Sequence, residues 1–143
     1  ADLVANSNNI SAAIVDLSPV GKHLPDSLIS QMRSLKVPKF TEPGKLPEWG
    51  FIFSPYVCFI RPVNFLEEKL FLELIDQYLS LLMSLLVRLG GNKINSLGTM
   101  DRLNYQKRYC LNQKRNDKTR GILTKFFGSS WADEYINKVL FEC

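Results

Sequence analysis

The sequence predicts an α/β fold: a sheet with helices on both of its faces, of which these 143 residues hold the later part. Three observations predict it. Turn formers Asn6-Ser7-Asn8-Asn9 separate an opening Asp2-Leu-Val-Ala from Ser11-Ala-Ala-Ile-Val-Asp-Leu, which reads as a β-hairpin. Phe51 to Arg61 is apolar at both parities, and a strand with two apolar faces is covered on both. A long amphipathic run then supplies covering helix. Only two or three strands emerge, whereas a sheet commonly has about five or six. The remaining strands are expected ahead of Asp2.

The elements follow in order. After the hairpin, Pro19 to Pro25 is a loop holding His23, the single histidine. Pro25-Asp26-Ser27 opens a short helix with Leu28, Ile29, Met32 and Leu35 on one face, its proline near the first turn, where a missing N–H costs nothing. Residues 37–48, with Pro38, Pro43, Gly44 and Pro47, form an extended loop. Lys45 is a lone cation in it, and such a cation is either solvated or meets an anion. In the apolar strand, Phe51, Phe53, Val57 and Phe59 take one side and Ile52, Tyr56, Cys58 and Ile60 the other, with a bulge or bend expected at Pro55. A helix over about 64–89 carries Leu66, Leu70, Phe71, Leu74, Ile75, Tyr78, Leu82, Met83 and Leu86 at helical spacing, and Gly90-Gly91 stops it. Residues 92–98 are a loop and 99–114 a further helix. Another helix begins near Asp117 and closes at Gly128, and Ser129 or Ser130 caps a last one holding Trp131, Tyr135, Val139 and Leu140.

Composition narrows the classes. A chain 45% hydrophobic and 11% aromatic can build a core, so disorder is not expected. The most apolar run, Tyr78 to Leu89, falls short of the roughly 20 residues that span a bilayer, so no membrane span is expected. Cys58, Cys110 and Cys143 are far apart without metal-ligand spacing, which suits a reducing compartment better than a disulfide framework. The net charge of +4 is modest, but between Arg102 and Arg120 seven Lys/Arg face one Asp outside position 101. That basic run lacks interleaved aromatics apart from Tyr105 and Tyr109 and matches no nucleic-acid motif, so no nucleic-acid partner is expected.

The most informative stretch is Gln113-Lys-Arg-Asn-Asp-Lys-Thr-Arg, leading into Ile122, Leu123, Phe126 and Phe127 of a helix expected to be buried. Such a cluster can present the amides of Gln113 and Asn116, the carboxylate of Asp117 and the ammonium of Lys118 to a polar, anionic ligand. Beside that stands the simpler reading of a solvated cap, with Asn116 or Asp117 as N-cap.

Ser11-Ala-Ala-Ile-Val-Asp-Leu-Ser-Pro, Leu46-Pro-Glu-Trp-Gly, Phe59-Ile-Arg-Pro, Asn116-Asp-Lys-Thr-Arg, Phe127-Gly, Trp131-Ala and Val139-Leu-Phe run in one order along nearly the whole chain. Together they resemble the ferredoxin-dependent bilin reductases. The resemblance implies that residues 1–143 are the C-terminal part of a single domain, a three-layer α/β/α sandwich with a central antiparallel sheet and the bilin between sheet and C-terminal helices. It implies reduction of biliverdin IXα by single electrons from reduced [2Fe-2S] ferredoxin, with no bound metal or flavin. The protein's work is then binding, electrostatics and proton delivery.

By motif, Asp2 matches the family's proton-donating aspartate, a role that needs surroundings favouring its protonated form. Ser11 and Lys118 match positions that meet the propionates, and Gln113, Asn116 and Asp117 match polar residues lining the pocket. Lys45 falls where related members carry arginine over a propionate, keeping the charge without the bidentate fork. The family's catalytic histidine and acidic partners upstream of Asp2 have no counterpart here, and His23 does not replace them. The branch most resembled makes phycocyanobilin with four electrons, while two-electron relatives share the fold. The resemblance also implies a transient electrostatic encounter with ferredoxin, a monomer when complete, and the cytoplasm of a phototroph. A non-catalytic tetrapyrrole-binding or interaction module is the alternative.

Overall fold

The hairpin forms where its turn chemistry places it. In the computed structural model, which describes residues 1–88 and 97–142, β1 (Asp2–Ala5) and β2 (Ile10–Val15) pair antiparallel. Asn6 makes the turn, its Oδ1 accepting the N–H groups of Asn8 and Asn9 at 2.8 and 3.1 Å. The register pairs Asp2 with Ile14, Leu3 with Ala13 and Val4 with Ala12, then slips so that Ala5 faces Ile10. Ser11 is the extra residue of that bulge. β3 (Cys58–Ile60) pairs antiparallel with β2, completing a three-stranded sheet in the order β1-β2-β3.

The chain falls into two units, Ala1–Pro19 with His23–Asn92 and Val20–Lys22 with Lys93–Cys143. In the first, α1 (Asp26–Ser34) starts behind Pro25 and buries Leu28 and Met32, as its spacing predicts. α2 (Phe65–Arg88) buries Phe71, Leu74, Tyr78 and Leu85. These side chains form one core with Ala13, Val15 and Ile60, so within this unit both helices lie on the same side of the sheet.

Two expectations for this unit need correction. Phe51 to Arg61 is not one strand: a 3-10 turn occupies Glu48–Ile52, and only Cys58–Ile60 joins the sheet. The cause is local. Pro55 has no N–H for a ladder, the Ser54 N–H is taken by the Asp16 carboxylate at 2.9 Å, and Phe51 is left 59% exposed rather than covered. Also, α2 is long and apolar enough to cross a membrane by length and composition alone, an 18-residue stretch of it having mean hydropathy 1.7, a longer stretch than the Tyr78 to Leu89 run on which the expectation rested. Its fully buried Phe71, Leu74 and Tyr78 serve the core of this unit.

In the second unit, α3 (Leu97–Gln113), α4 (Asp117–Phe127) and α5 (Ser129–Tyr135) follow, the last continuing into a π-helical turn at Ile136–Leu140. The expected stop at Gly90-Gly91, most of the 92–98 loop and Cys143 lie outside the described residues; Leu97 and Gly98 are already helical. Gly128, at φ 86°, ends α4 and directly precedes α5. Neither Ser129 nor Ser130 caps that helix: it begins at Ser129, and its N-cap Gly128 has no side chain to accept a bond. α4 buries none of its residues, so the expectation of a buried helix fails: Ile122, Phe126 and Phe127 are exposed. Trp131 links it to α5 through ring contacts with Phe127 at 4.5 Å and Tyr135 at 4.7 Å, and Arg120 pairs with Asp133.

Candidate functional site

In the first unit the site candidates lie on the sheet or in the loop along its edge. Ala13, Val15 and Ile60 face α1 and α2, and alternation sends their neighbours the other way. Asp2 pairs with Ile14, and Ile14 with Phe59, so the register puts Asp2, Val4, Ala12, Ile14 and Phe59 on the second face. Asp2 is exposed on the edge strand and is the only ionisable residue of that set. Its neighbours are apolar, a setting suited to a flat hydrophobic ligand with an acid at its margin.

Ser11 depends on the bulge. Strict period-two alternation would group it with buried Ala13 and Val15; the extra residue breaks the alternation and leaves it exposed. Its hydroxyl donates to the Val4 carbonyl at 3.0 Å, across the hairpin. The hydroxyl oxygen keeps acceptor capacity.

Lys45 is exposed in a loop laid along the free edge of β3. The Gly44 N–H donates to the Phe59 carbonyl at 2.7 Å, the Arg61 N–H to the Glu42 carbonyl at 2.9 Å, and Pro43 bridges Ile60. Gly44 lies so close to the Phe59 ring that an added Cβ would stand 2.4 Å from it. An open groove of about 310 Å³ between this loop and β3 has no charged residue in its lining, which does not suit a carboxylate.

The remaining four residues gather at the α3–α4 corner of the second unit. Gln113 ends α3, and its Nε2 donates to the Tyr109 hydroxyl at 2.9 Å. The Asn116 N–H donates to the Gln113 carbonyl at 3.0 Å. Asn116 is the N-cap of α4, its Oδ1 accepting the Thr119 N–H at 3.3 Å, so the simpler cap reading holds for this residue. Asp117 and Lys118 occupy the first turn, both exposed, with the acid at the end where a helix favours negative charge. The structure therefore places Asp2, Ser11 and Lys45 in one unit and Gln113, Asn116, Asp117 and Lys118 together in the other.

Several polar residues of the first unit were not anticipated. Glu67 is a buried carboxylate (7% exposed) whose Oε1 accepts the Thr41 N–H at 3.0 Å and the Thr41 hydroxyl at 2.6 Å, while Oε2 accepts the Val63 N–H at 3.2 Å. The Thr41 hydroxyl and then its N–H hold this carboxyl below the usual carboxylate range, with Val63 acting the same way. A sequence signal existed: Asn64-x-x-Glu67 has the spacing of a capping box, and the Asn64 Oδ1 accepts the Glu67 N–H at 2.9 Å. Asp16 accepts from Ser54 and, at 2.6 Å, from the Ser18 hydroxyl. The Tyr78 hydroxyl donates to the Tyr56 carbonyl; burial, then the nearby Cys58 and Asp16 charges, push that phenol far up. Burial likewise raises the Cys58 thiol. No signal in the sequence marked these contacts.

Comparison with known proteins adds the last observation. A family model for "ferredoxin-dependent bilin reductase" matches residues 1–142. Proteins named phycocyanobilin:ferredoxin oxidoreductase are similar throughout: one from Prochlorococcus marinus (strain MIT 9313) is 49% identical over 142 residues, 99% of this chain and 54% of that protein. One from a Synechococcus strain is 46% identical, with 99% of this chain and 58% of that protein covered. One from Trichodesmium erythraeum is 37% identical with the same coverage. The chain thus spans little more than half the length of the relatives it matches.

Proposed function

The chain belongs to the ferredoxin-dependent bilin reductase family, and from that premise we propose that the protein reduces biliverdin IXα to a phycobilin, phycocyanobilin being the favoured product. The observation that carries this reading is the second face of the sheet, apolar along Val4, Ala12, Ile14 and Phe59 with the single acid Asp2 at its edge strand. A tetrapyrrole is planar, largely apolar, and ends in two propionates. It therefore suits an apolar surface whose cations and hydroxyls lie at the margins.

In this proposal residues 1–143 form the C-terminal part of a single domain, a three-layer α/β/α sandwich whose further strands precede β1. The half-buried apolar face opposite the helices of a three-stranded sheet and the half-length coverage of the relatives support it. Electrons come singly from reduced [2Fe-2S] ferredoxin in a transient encounter, with no bound metal or flavin, in a monomer in the cytoplasm of a phototroph. The substrate becomes more basic with each electron gained, so proton supply governs completion. Asp2 donates a proton to the reduced bilin. Ser11, Lys45 and Lys118 bind propionate oxygens, Ser11 by its hydroxyl and the lysines as point charges. Gln113, Asn116 and Asp117 supply polar contacts to the ligand.

Asp2→Asn in the full-length protein tests the reading. Asparagine preserves size and hydrogen bonding but cannot donate a carboxylic proton. The expected result is near-parent biliverdin affinity, build-up of a one-electron-reduced radical on adding the ferredoxin reducing system, and little phycobilin. Lys118→Ala should instead weaken binding first. Parent turnover by Asp2→Asn would reduce Asp2 to a solvated strand residue. Binding without turnover in the parent protein would favour the non-catalytic tetrapyrrole-binding module.

A further inference from the structure

Glu67 is a charged group buried at the start of α2, and its capping role uses only part of its bonding. A capping-box glutamate bonds back to the N–H of the N-cap residue. Glu67 reaches one residue past that position, its Oε2 accepting the Val63 N–H. Its other oxygen reaches 26 residues back along the chain to take both donors of Thr41. Burying a carboxylate is costly unless it is well bonded, and a cap alone needs no such reach.

Thr41 opens the segment that carries Lys45. Beyond it, Glu42, Pro43 and Gly44 run along the edge of β3 as an incomplete fourth strand, fixed by the two backbone bonds and by the contact of Gly44 with Phe59. The segment is thus tied at Thr41 to a helix of the core and at Gly44 to the sheet, and Lys45 follows directly. We propose that Glu67 is a positioning residue for ligand binding: by holding Thr41, it fixes the loop in which Lys45 meets a carboxylate of the bilin. The inference rests on the assignment of Lys45 to a propionate. Lysine makes the dependence acute, because a single ammonium on a flexible stem lacks the geometric hold of a guanidinium, so its backbone must already be in place.

A double-mutant cycle in the full-length protein, read by biliverdin titration and by steady-state kinetics, tests this. Lys45→Ala should weaken biliverdin binding by about tenfold or more, the scale of one charge-assisted hydrogen bond. Glu67→Ala should weaken it comparably, raising KM with kcat largely kept, and the double variant should bind no worse than Lys45→Ala alone. Glu67→Gln should recover most of the affinity, since its carbonyl oxygen can accept both Thr41 donors while only the Val63 bond is lost. Thr41→Val, which deletes one donor and keeps the loop's shape, should fall between, and it decides the matter with Glu67→Gln if Glu67→Ala does not fold. If Lys45→Ala weakens binding while the Glu67 and Thr41 variants keep parent affinity, or add their full effects to it, the inference is overturned and the propionate assignment stands. If Lys45→Ala binds like the parent, the assignment fails and the inference with it.

Discussion

Gly44→Ala is a one-methyl perturbation whose consequence can be worked from distances. The new Cβ would lie 2.4, 2.5 and 2.7 Å from Phe59 Cδ1, Cγ and Cε1. Carbon atoms in good contact stand roughly 3.5–4.0 Å apart, so loop and ring must separate by about an ångström. The ring belongs to the middle residue of β3, and the loop is tied to that strand by the Gly44 N–H on the Phe59 carbonyl. Relief therefore costs either a side-chain rotation or that hydrogen bond. Overpacking of this kind costs about 1–3 kcal/mol, a factor of roughly 5 to 150 in the folded-to-unfolded ratio. Urea unfolding of the full-length protein should show a lower midpoint at unchanged slope. Phe59→Ala removes all three offending atoms, so the double variant should be less destabilised than the two singles summed. Biliverdin affinity should fall with Gly44→Ala, because Lys45 moves with Gly44. Parent stability and parent affinity for Gly44→Ala would refute the close approach, and with it the reasoning that this loop is fixed against β3.

Other outcomes follow from the same structure. The folded-state pKa of Glu67 is lowered, so its contribution is present above the unfolded carboxyl value of about 4.3 and lost as pH falls through the folded value. Acid titration of stability should therefore show a steeper loss below about pH 4 in the parent than in Glu67→Gln; identical acid limbs would contradict this. Lys107, Arg108, Arg115 and Lys118 are exposed on the basic run, whereas Arg120 pairs with Asp133. Ferredoxin-driven turnover at limiting ferredoxin should accordingly slow from low to moderate salt, chiefly through association, since screening acts beyond about 8 Å at physiological ionic strength. A salt-independent rate would remove these cations from docking. Residues 1–143 expressed alone should aggregate and fail to turn over biliverdin, because exposed Phe126 and Phe127 and the β1 edge lie open. Cooperative unfolding together with activity would overturn that expectation.

What the sequence made legible was whatever depends on a few adjacent residues. Asn6 to Asn9 announce their turn because asparagine bonds its own backbone, and Leu28 with Met32 announce a buried helix face through spacing. Gly128 marks a helix end by the positive φ that only glycine takes cheaply. The corner of Gln113, Asn116, Asp117 and Lys118 was legible for the same reason, since four residues within six positions at a helix start stay together in any fold. Failures arose where a partner distant in sequence decides. Apolar alternation at Phe51 to Arg61 argues for a strand, yet Asp16, 38 residues away, takes the Ser54 N–H and diverts the chain into a turn. Hydrophobicity at Phe126 and Phe127 argues for burial, yet burial needs a covering surface, and α4 by itself carries no record of one. Ser11 shows the two kinds of information combined. Its motif was readable, but its exposure comes from a bulge fixed jointly by β1 and β2, without which alternation would turn it toward Ala13 and Val15. Glu67 shows the opposite limit: Asn64-x-x-Glu67 reveals a cap, while the bonds that matter to Lys45 go to Thr41, which only the folded chain brings within reach.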